Sequence, residues 1–248
     1  MAIRAVFFDL SGVLYDGDSL IEGALEAVAL ARRRELALRF VTNTATKSRQ
    51  QIVKKLQGLG IDLKPDELFT APDAALAYIR EHKLHPFTLV HQAIAPMFAD
   101  HDGEPDSVVL GDAREQLTYA SLNRAFGLLM QGKPLIGIGD NRYFSDGEHL
   151  LLDAGPFIHA LSYAASVKPI IMGKPSADFF AQVVASVNVP ATECLMLGDD
   201  VYGDIEGALN AGLQAALVQT GKYQAGDETK LPQPVNTLAS VAALASVL

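Results

Sequence analysis

Ala5-Val6-Phe7-Phe8-Asp9-Leu10-Ser11-Gly12-Val13-Leu14-Tyr15-Asp16-Gly17 is the stretch that decides the fold. Four apolar residues run into an aspartate. A continuous apolar run of that length suits a strand buried on both faces, as in a parallel sheet. Asp9 then stands at the carboxyl end of the strand, where open α/β sheets bind ligands. Gly12 and Gly17 bracket a segment that must turn sharply away. A carboxylate so placed can ligate a hard cation, attack a phosphoryl group to form an aspartyl-phosphate, or simply end the strand and cap the next turn. The stretch alone leaves all three open.

Outward from this strand, read as Ile3–Phe8, Ser19 or Asp18 can cap a helix from about Leu20 to Arg34, with Leu20, Ala24, Leu25, Val28 and Ala31 on one face. Leu36–Val41 reads as a second strand ending in Thr42-Asn43-Thr44, and Ser48–Leu59 as a helix closed by Gly58 and Gly60. Glu67–Thr70 is a short strand, and Pro72 opens a helix to about His82. This β-α-β-α-β-α rhythm predicts a parallel sheet with right-handed crossovers. The rhythm then changes. Pro86, Pro96, Pro105 and Pro134 punctuate short strands at Thr88–His91, Ser107–Leu110 and Leu135–Ile138, with helices over Tyr119–Gln131 and Pro156–Ala165. After Gly173-Lys174-Pro175 the first rhythm resumes. A helix capped by Ser176 runs to about Val187, followed by a strand at Cys194–Leu197, a helix at Gly203–Ala211, a strand at Ala215–Val218, a loop over Tyr223–Pro234 and a final helix at Leu238–Leu248. The organisation expected is a discontinuous core over 1–73 and 172–248, with a smaller α/β unit inserted at 74–171.

The 248 residues are ample for a sizeable core, and 49% hydrophobic with 20% charged residues is an ordinary globular composition. A net charge of −9 argues against nucleic acid as a partner. The basic cluster Arg32-Arg33-Arg34 reads as a solvated last helical turn, favoured by the helix dipole. The single cysteine, Cys194, excludes an internal disulfide and a thiolate zinc site, and its apolar neighbours make it a core residue. No signal peptide and no apolar run of membrane-spanning length is evident, so a soluble, cytoplasmic protein is expected.

A second acidic cluster, Gly198-Asp199-Asp200-Val201-Tyr202-Gly203-Asp204, follows another apolar strand. A helix N-terminus accounts for one or two of its three carboxylates. Three of them at a strand end, together with Asp9, are better explained by a magnesium site or a compensating lysine. Thr42 and Asn43 can donate to phosphate oxygens, or cap a helix. Lys174, between Gly173 and Pro175, can neutralise a bound phosphoryl group. There is no G-x-x-x-x-G-K-[ST] loop, and Gly137-x-Gly139 is followed by Arg142 where a dinucleotide motif needs glycine. His82, His85, His91, His101, His149 and His159 do not repeat at metal-ligand spacing.

Together, Asp9-Leu10-Ser11-Gly12-Val13-Leu14-Tyr15-Asp16, Phe40-Val41-Thr42-Asn43, Gly173-Lys174-Pro175-Ser176 and Gly198-Asp199-Asp200 resemble the signature of the haloacid dehalogenase superfamily of phosphohydrolases. The insertion between Thr42 and Lys174 is similar to the C2-type cap of the class IIA, NagD-like branch. The resemblance implies a Rossmann-like α/β core with a parallel sheet, an inserted α/β cap and a Mg²⁺ cofactor. By position, Asp9 is implied as nucleophile and magnesium ligand. Ser11 lends its backbone carbonyl to the metal, and Asp199 binds the metal directly. Thr42 and Asn43 hold the phosphoryl group, Lys174 bridges nucleophile and phosphate, and Asp200 and Asp204 support from behind. It also implies a small phosphorylated substrate, a homodimer formed through the cap, and neither nucleic acid nor membrane as partner.

One position departs from the pattern. Members of the superfamily commonly carry a second aspartate two residues after the nucleophile, as general acid and base. Here it is Ser11. Help of that kind contributes about 10²–10⁴-fold, so alkyl phosphate esters should react slowly, while phosphoramidates, diphosphates and aryl phosphates suffer less. Relatives in the same branch share the serine and are linked to such substrates. Asp16 is a substitute acid by position, and Arg142, Tyr143 and Asp146 face either substrate or solvent. The rival readings are a low-activity general monoesterase and a phospho-ligand binding protein with little catalysis.

Overall fold

The computed structural model describes residues 2–99, 103–145 and 149–248. In chain order the first elements are β1 (Ala5–Asp9), a hairpin of β2 (Tyr15–Asp16) and β3 (Ser19–Leu20), α1 (Ala24–Arg33), β4 (Ala37–Thr42), α2 (Arg49–Gly58) and β5 (Leu68–Thr70). Next come α3 (Ala71–Glu81), β6 (Pro86–Leu89), β7 (Ser107–Leu110), α4 (Tyr119–Leu129), β8 (Leu135–Ile138), β9 (Tyr143–Ser145), β10 (Leu150–Leu152), α5 (Ala154–Ala165) and β11 (Ile170–Met172). The chain ends with α6 (Ala177–Ala185), β12 (Cys194–Gly198), α7 (Gly207–Asn210), β13 (Gln214–Val218) and β14 (Asn236–Leu238). They form two compact units, one of 1–42, 50–69 and 174–248, the other of 43–49 and 70–173.

The first unit holds a six-stranded sheet in the order β14-β13-β12-β1-β4-β5. β1 lies at its centre, parallel to both neighbours, with Phe8 level with Leu197 on one side and Phe40 on the other. Every residue of β1 is buried, as the unbroken apolar run requires. Val6 and Phe8 enter a core with Phe40, Ile52, Leu56, Leu197 and Leu244. The second unit has a four-stranded sheet, β11-β8-β7-β6, with all three pairings parallel. Its own core gathers Val108, Leu110, Ala125, Leu135 and Ile158. It is an α/β unit in its own right. Among the described residues, no helix is long and apolar enough to cross a membrane.

Several elements differ from the sequence reading. The helix expected over Leu20–Arg34 begins only at Ala24, because Asp16 and Ser19 pair in the β2–β3 hairpin. Gly23, at φ +83°, precedes the helix and packs so closely that a Cβ there would meet Ala242 Cβ at 2.4 Å. The buried face of α1 is Ala24, Ala27, Val28 and Ala31, and Leu25 is exposed. The first cap strand is shifted to Pro86–Leu89, with Pro86 at its first residue, where no ladder donor is needed. Ser176 makes no side-chain cap to α6. The span Gly203–Ala211 is a π-type turn over Val201–Glu206 followed by the short α7. The expected terminal helix is β14 plus a 3₁₀ stretch over Val241–Ser246, capped by Ser240. A 3₁₀ turn, Asp227–Lys230, lies inside the expected loop, and the β9–β10 hairpin went unread.

Arg33 and Arg34 are exposed, but Arg32 is only partly so. Its guanidinium makes two 2.8 Å hydrogen bonds to the buried Glu67 carboxylate and one of 2.6 Å to the Asp62 carbonyl. Burial opposes ionisation of Glu67, but Arg32 and the Lys64 amide hold its carboxyl below the ordinary range. A lowered folded-state pKa contributes stability above the pH at which an unfolded glutamate titrates, and that stability is lost as pH falls through the folded value. We therefore expect Glu67→Gln to cost about 1.5–3 kcal/mol near neutrality, read by urea denaturation. The gap to the native chain should close in acid, below the range in which glutamate ordinarily titrates.

Candidate active site

Parallel pairing brings the carboxyl ends of β4, β1, β12 and β13 to one edge of the first unit's sheet. Asp9 closes β1, Thr42 closes β4, and Gly198-Asp199 closes β12. Residues almost two hundred positions apart become neighbours by this register alone. The fourth participant arrives from a turn. Lys174 follows Gly173 and precedes Pro175 across a cis peptide bond. Pro175 is packed under Gly207, where an added Cβ would meet backbone at 2.8 Å.

Lys174 is buried between two carboxylates. Its Nζ donates to Asp9 Oδ1 and to Asp204 Oδ1, each at 2.5 Å. Asp204 is delivered by the π-type turn, in which the amides of Asp204 and Ile205 both reach back to the Asp200 carbonyl, at 2.9 and 3.2 Å. Such turns insert an extra residue into a helical path and recur at functional sites. Gly198 makes room, since any Cβ there would lie 2.1 Å from Asp204 Cβ. Asp9, Asp199 and Asp204 each offer an oxygen within 4.8 Å of the others, and all three are buried.

The electrostatics follow from that crowding. Burial alone would lower the Lys174 pKa, but Asp204 and Asp9 hold the ammonium above the ordinary lysine range. Burial, reinforced by Asp9 and Asp204, pushes the Asp199 carboxyl well above the usual carboxylate range. Asp204 is pushed up to about 7 by burial, against the pull of Lys174. Were all three carboxylates ionised, one ammonium would leave two negative charges without a counter-ion, and the donor set is all oxygen. A hard divalent cation fits that demand. Asp200 behaves differently. Its Oδ1 accepts from the Tyr202 and Gly203 amides as a helix cap, and its Oδ2 accepts from Lys222 Nζ at 3.1 Å. Burial opposes its charge, yet Lys222 and the Gly203 amide keep its carboxyl below the ordinary range.

The chain matches the haloacid dehalogenase-like hydrolase family model over residues 6–104 and a HAD-hydrolase-like model over 171–244. It is 40% identical to the phospholysine phosphohistidine inorganic pyrophosphate phosphatase of Homo sapiens over 233 residues, 91% of this chain and 86% of that protein. The chain belongs to the haloacid dehalogenase-like hydrolases. It is also 40% identical to the Bos taurus haloacid dehalogenase-like hydrolase domain-containing protein 2, over 96% of this chain and 93% of that one. The crystal structure of a 4-nitrophenylphosphatase from Thermotoga maritima superposes with a TM-score of 0.89 at 27% identity, covering 98% of this chain and 97% of that one.

Of the positions singled out from sequence in this hydrolase, Asp9, Lys174, Asp199 and Asp204 converge, with Asp200 behind them. Thr42 is buried at the end of β4 beside β1. Ser11 is exposed, and its backbone bridges to Tyr15. Asn43 groups with the second unit, where it lies against Gly139 and Gly173; a Cβ on Gly173 would stand 2.8 Å from Asn43 Oδ1. Arg142 and Tyr143 are exposed at the start of the β9–β10 hairpin. Asp146 and His101 lie outside the described residues. His159 contacts Asp140 at 2.9 Å, and His82 bonds the Tyr78 carbonyl, as local partners.

Thr220-Gly221-Lys222, after β13, went unnoticed. The Lys222 amide donates to Asp199 Oδ2 at 2.6 Å, and Thr220 Oγ1 donates to the Gly12 carbonyl. A threonine, a glycine and a lysine after a strand are ordinary loop composition, and nothing local marked them. Gly12, at φ +88°, sits so close that a Cβ would lie 2.1 Å from Asp199 Oδ2. Gly17, at φ +52°, has nothing within 4 Å. Both substitutions to alanine carry a left-handed backbone penalty of about 1–2 kcal/mol. Gly12→Ala should cost a further 1–3 kcal/mol, roughly, for overpacking, so the two variants should separate clearly in urea denaturation.

Proposed function

We propose that this chain is a magnesium-dependent phosphohydrolase that works through an aspartyl-phosphate on Asp9 and favours phosphoramidate, diphosphate-type and aryl phosphate substrates. The observation that carries this reading is a nucleophile-type carboxylate bonded to a buried lysine, with a serine rather than a carboxyl two residues on. Asp9 attacks phosphorus through a carboxylate oxygen, and the bond to the leaving nitrogen or oxygen breaks with its electron pair. Water then releases phosphate and regenerates Asp9. Lys174 holds the attacking carboxylate in place and offsets charge on the phosphoryl oxygens. Thr42 and Asn43 donate to the same oxygens.

Asp9, Asp199 and the Ser11 carbonyl would hold the cation, which supplies charge neutralisation at the phosphoryl group. Asp204, already bonded to Lys174, and Asp200, engaged by Lys222, orient the others. The buried all-oxygen cluster of Asp9, Asp199 and Asp204 supports that assignment.

Ser11 Oγ is a poor proton donor near neutral pH, so a leaving group must depart with little help. A P–N bond, a diphosphate and an aryl oxygen meet that condition better than an alkoxide. The names of the relatives point the same way: phospholysine, phosphohistidine and pyrophosphate for one, 4-nitrophenyl phosphate for another.

With Mg²⁺, phosphate release should be faster from imidodiphosphate and p-nitrophenyl phosphate than from a sugar phosphate. It should stop with chelator and fall by more than about 10³-fold in Asp9→Asn. A preference for the sugar phosphate would assign the acid to another group, with Asp16 the first to test. No release from any of the three would favour a phospho-ligand binding protein.

A further inference from the structure

We propose that Thr220 is a positioning residue, a latch that fixes the distance between the two metal-bearing strand ends. The proposal rests on the cation reading above. β12 stands between β13 and β1 in the sheet, so a residue leaving β13 must cross the Asp199 strand end to reach the Asp9 loop. Thr220 makes that crossing, and its Oγ1 donates to the Gly12 carbonyl at 2.5 Å. One residue on, Gly221 passes over Gly12 so closely that a Cβ on Gly221 would lie 2.4 Å from Gly12 Cα and 2.1 Å from Asp199 Oδ2. Two residues on, the Lys222 amide takes Asp199 Oδ2 at 2.6 Å. Oδ1 of Asp199 has no hydrogen-bond partner among the described residues. Three successive residues thus grip both ligand-bearing segments from a third strand.

The Gly12 carbonyl belongs to the peptide next to that of Ser11, whose own carbonyl is assigned to the cation. A bond at Gly12 restrains the neighbouring peptide and, together with the Gly12 N–H bond to the Tyr15 carbonyl that holds the Ser11–Gly12 peptide itself, limits how far the Ser11 oxygen can turn. Without the latch, the 9–15 loop keeps its covalent path and its Gly12–Tyr15 hydrogen bond, yet loses its tie to the Asp199 side. Groups that orient metal ligands from behind typically change metal affinity by 10–100-fold when removed. Thr220 acts only through the Gly12 peptide, so its hydroxyl, not its bulk, is the agent.

The test is Mn²⁺ binding to the full chain, followed by the EPR signal of free Mn²⁺ with no substrate present. It compares native protein, Thr220→Val and Thr220→Ser, with circular dichroism to confirm folding. Thr220→Ala replaces the valine variant if that one does not fold. The expected result is about 10–100-fold weaker Mn²⁺ binding in Thr220→Val, with native affinity in Thr220→Ser. Native affinity in Thr220→Val, or equal weakening in the valine and serine variants, would overturn the latch while leaving the cation reading intact. Failure of the native chain to bind Mn²⁺ would overturn both.

Discussion

Everything at the sheet's carboxyl edge depends on one ammonium group placed between two carboxylates in the interior. Taking Lys174 out of water costs several kcal/mol, and the same holds for Asp9 and Asp204. Paired at hydrogen-bond distance, these charges recover much of that cost. The geometry also fixes which oxygen of Asp9 faces the lysine, Oδ1. Removing Lys174 leaves two buried carboxylates with no ammonium between them, whereas removing either aspartate leaves Lys174 paired with the other. Asp199 stands outside this three-residue unit, and burial and repulsion by the same carboxylates push its carboxyl well above the usual range.

That unit exists because the sheet is parallel. In an antiparallel arrangement, Asp9 and Asp199 would close neighbouring strands at opposite ends. Here the apolar runs of β1 and β12 lie side by side in one direction, and both release their aspartates at the same edge. The close approach then demands glycine. Gly12, Gly198 and Gly221 each stand where a methyl group would meet a catalytic-edge carboxylate at about van der Waals overlap or worse. The acidic cluster is thus tightly walled, and a carboxylate so walled has few rotamers to lose when it takes up a ligand.

What could be read from the chain follows from how local each signal is. β1 was legible because four apolar residues before an aspartate constrain little else, and the parallel core followed from the alternating rhythm. Asp199, Asp200 and Asp204 stood out as three acids in six residues. The division of labour among them did not, since only the turn shows that Asp200 caps and pairs with Lys222 while Asp204 turns inward to Lys174. Arg32 looked like a helix end because its partner Glu67 lies thirty-five residues on, across the sheet edge. The β2–β3 hairpin was hidden inside a segment whose composition also suits a helix start. Thr220 and Gly221 were silent for the plainest reason: their role is a contact with residues two hundred positions away.

Ser11 remains the residue with most chemical consequence. In the reading proposed above, with Asp9 as nucleophile, Lys174 neutralising charge and the carboxylates holding a cation, the missing element is proton delivery to the leaving atom. Its loss penalises a substrate in proportion to the basicity of the group that departs. A nitrogen protonated before attack, or an aryl or phosphoryl oxygen that leaves as a stabilised anion, is nearly indifferent to it; a sugar alkoxide is not. On that proposal, a serine in place of the acid would lower activity towards common phosphate esters and so narrow selectivity towards labile phosphoryl bonds. The pocket need not recognise anything beyond the phosphoryl group for that discrimination to hold.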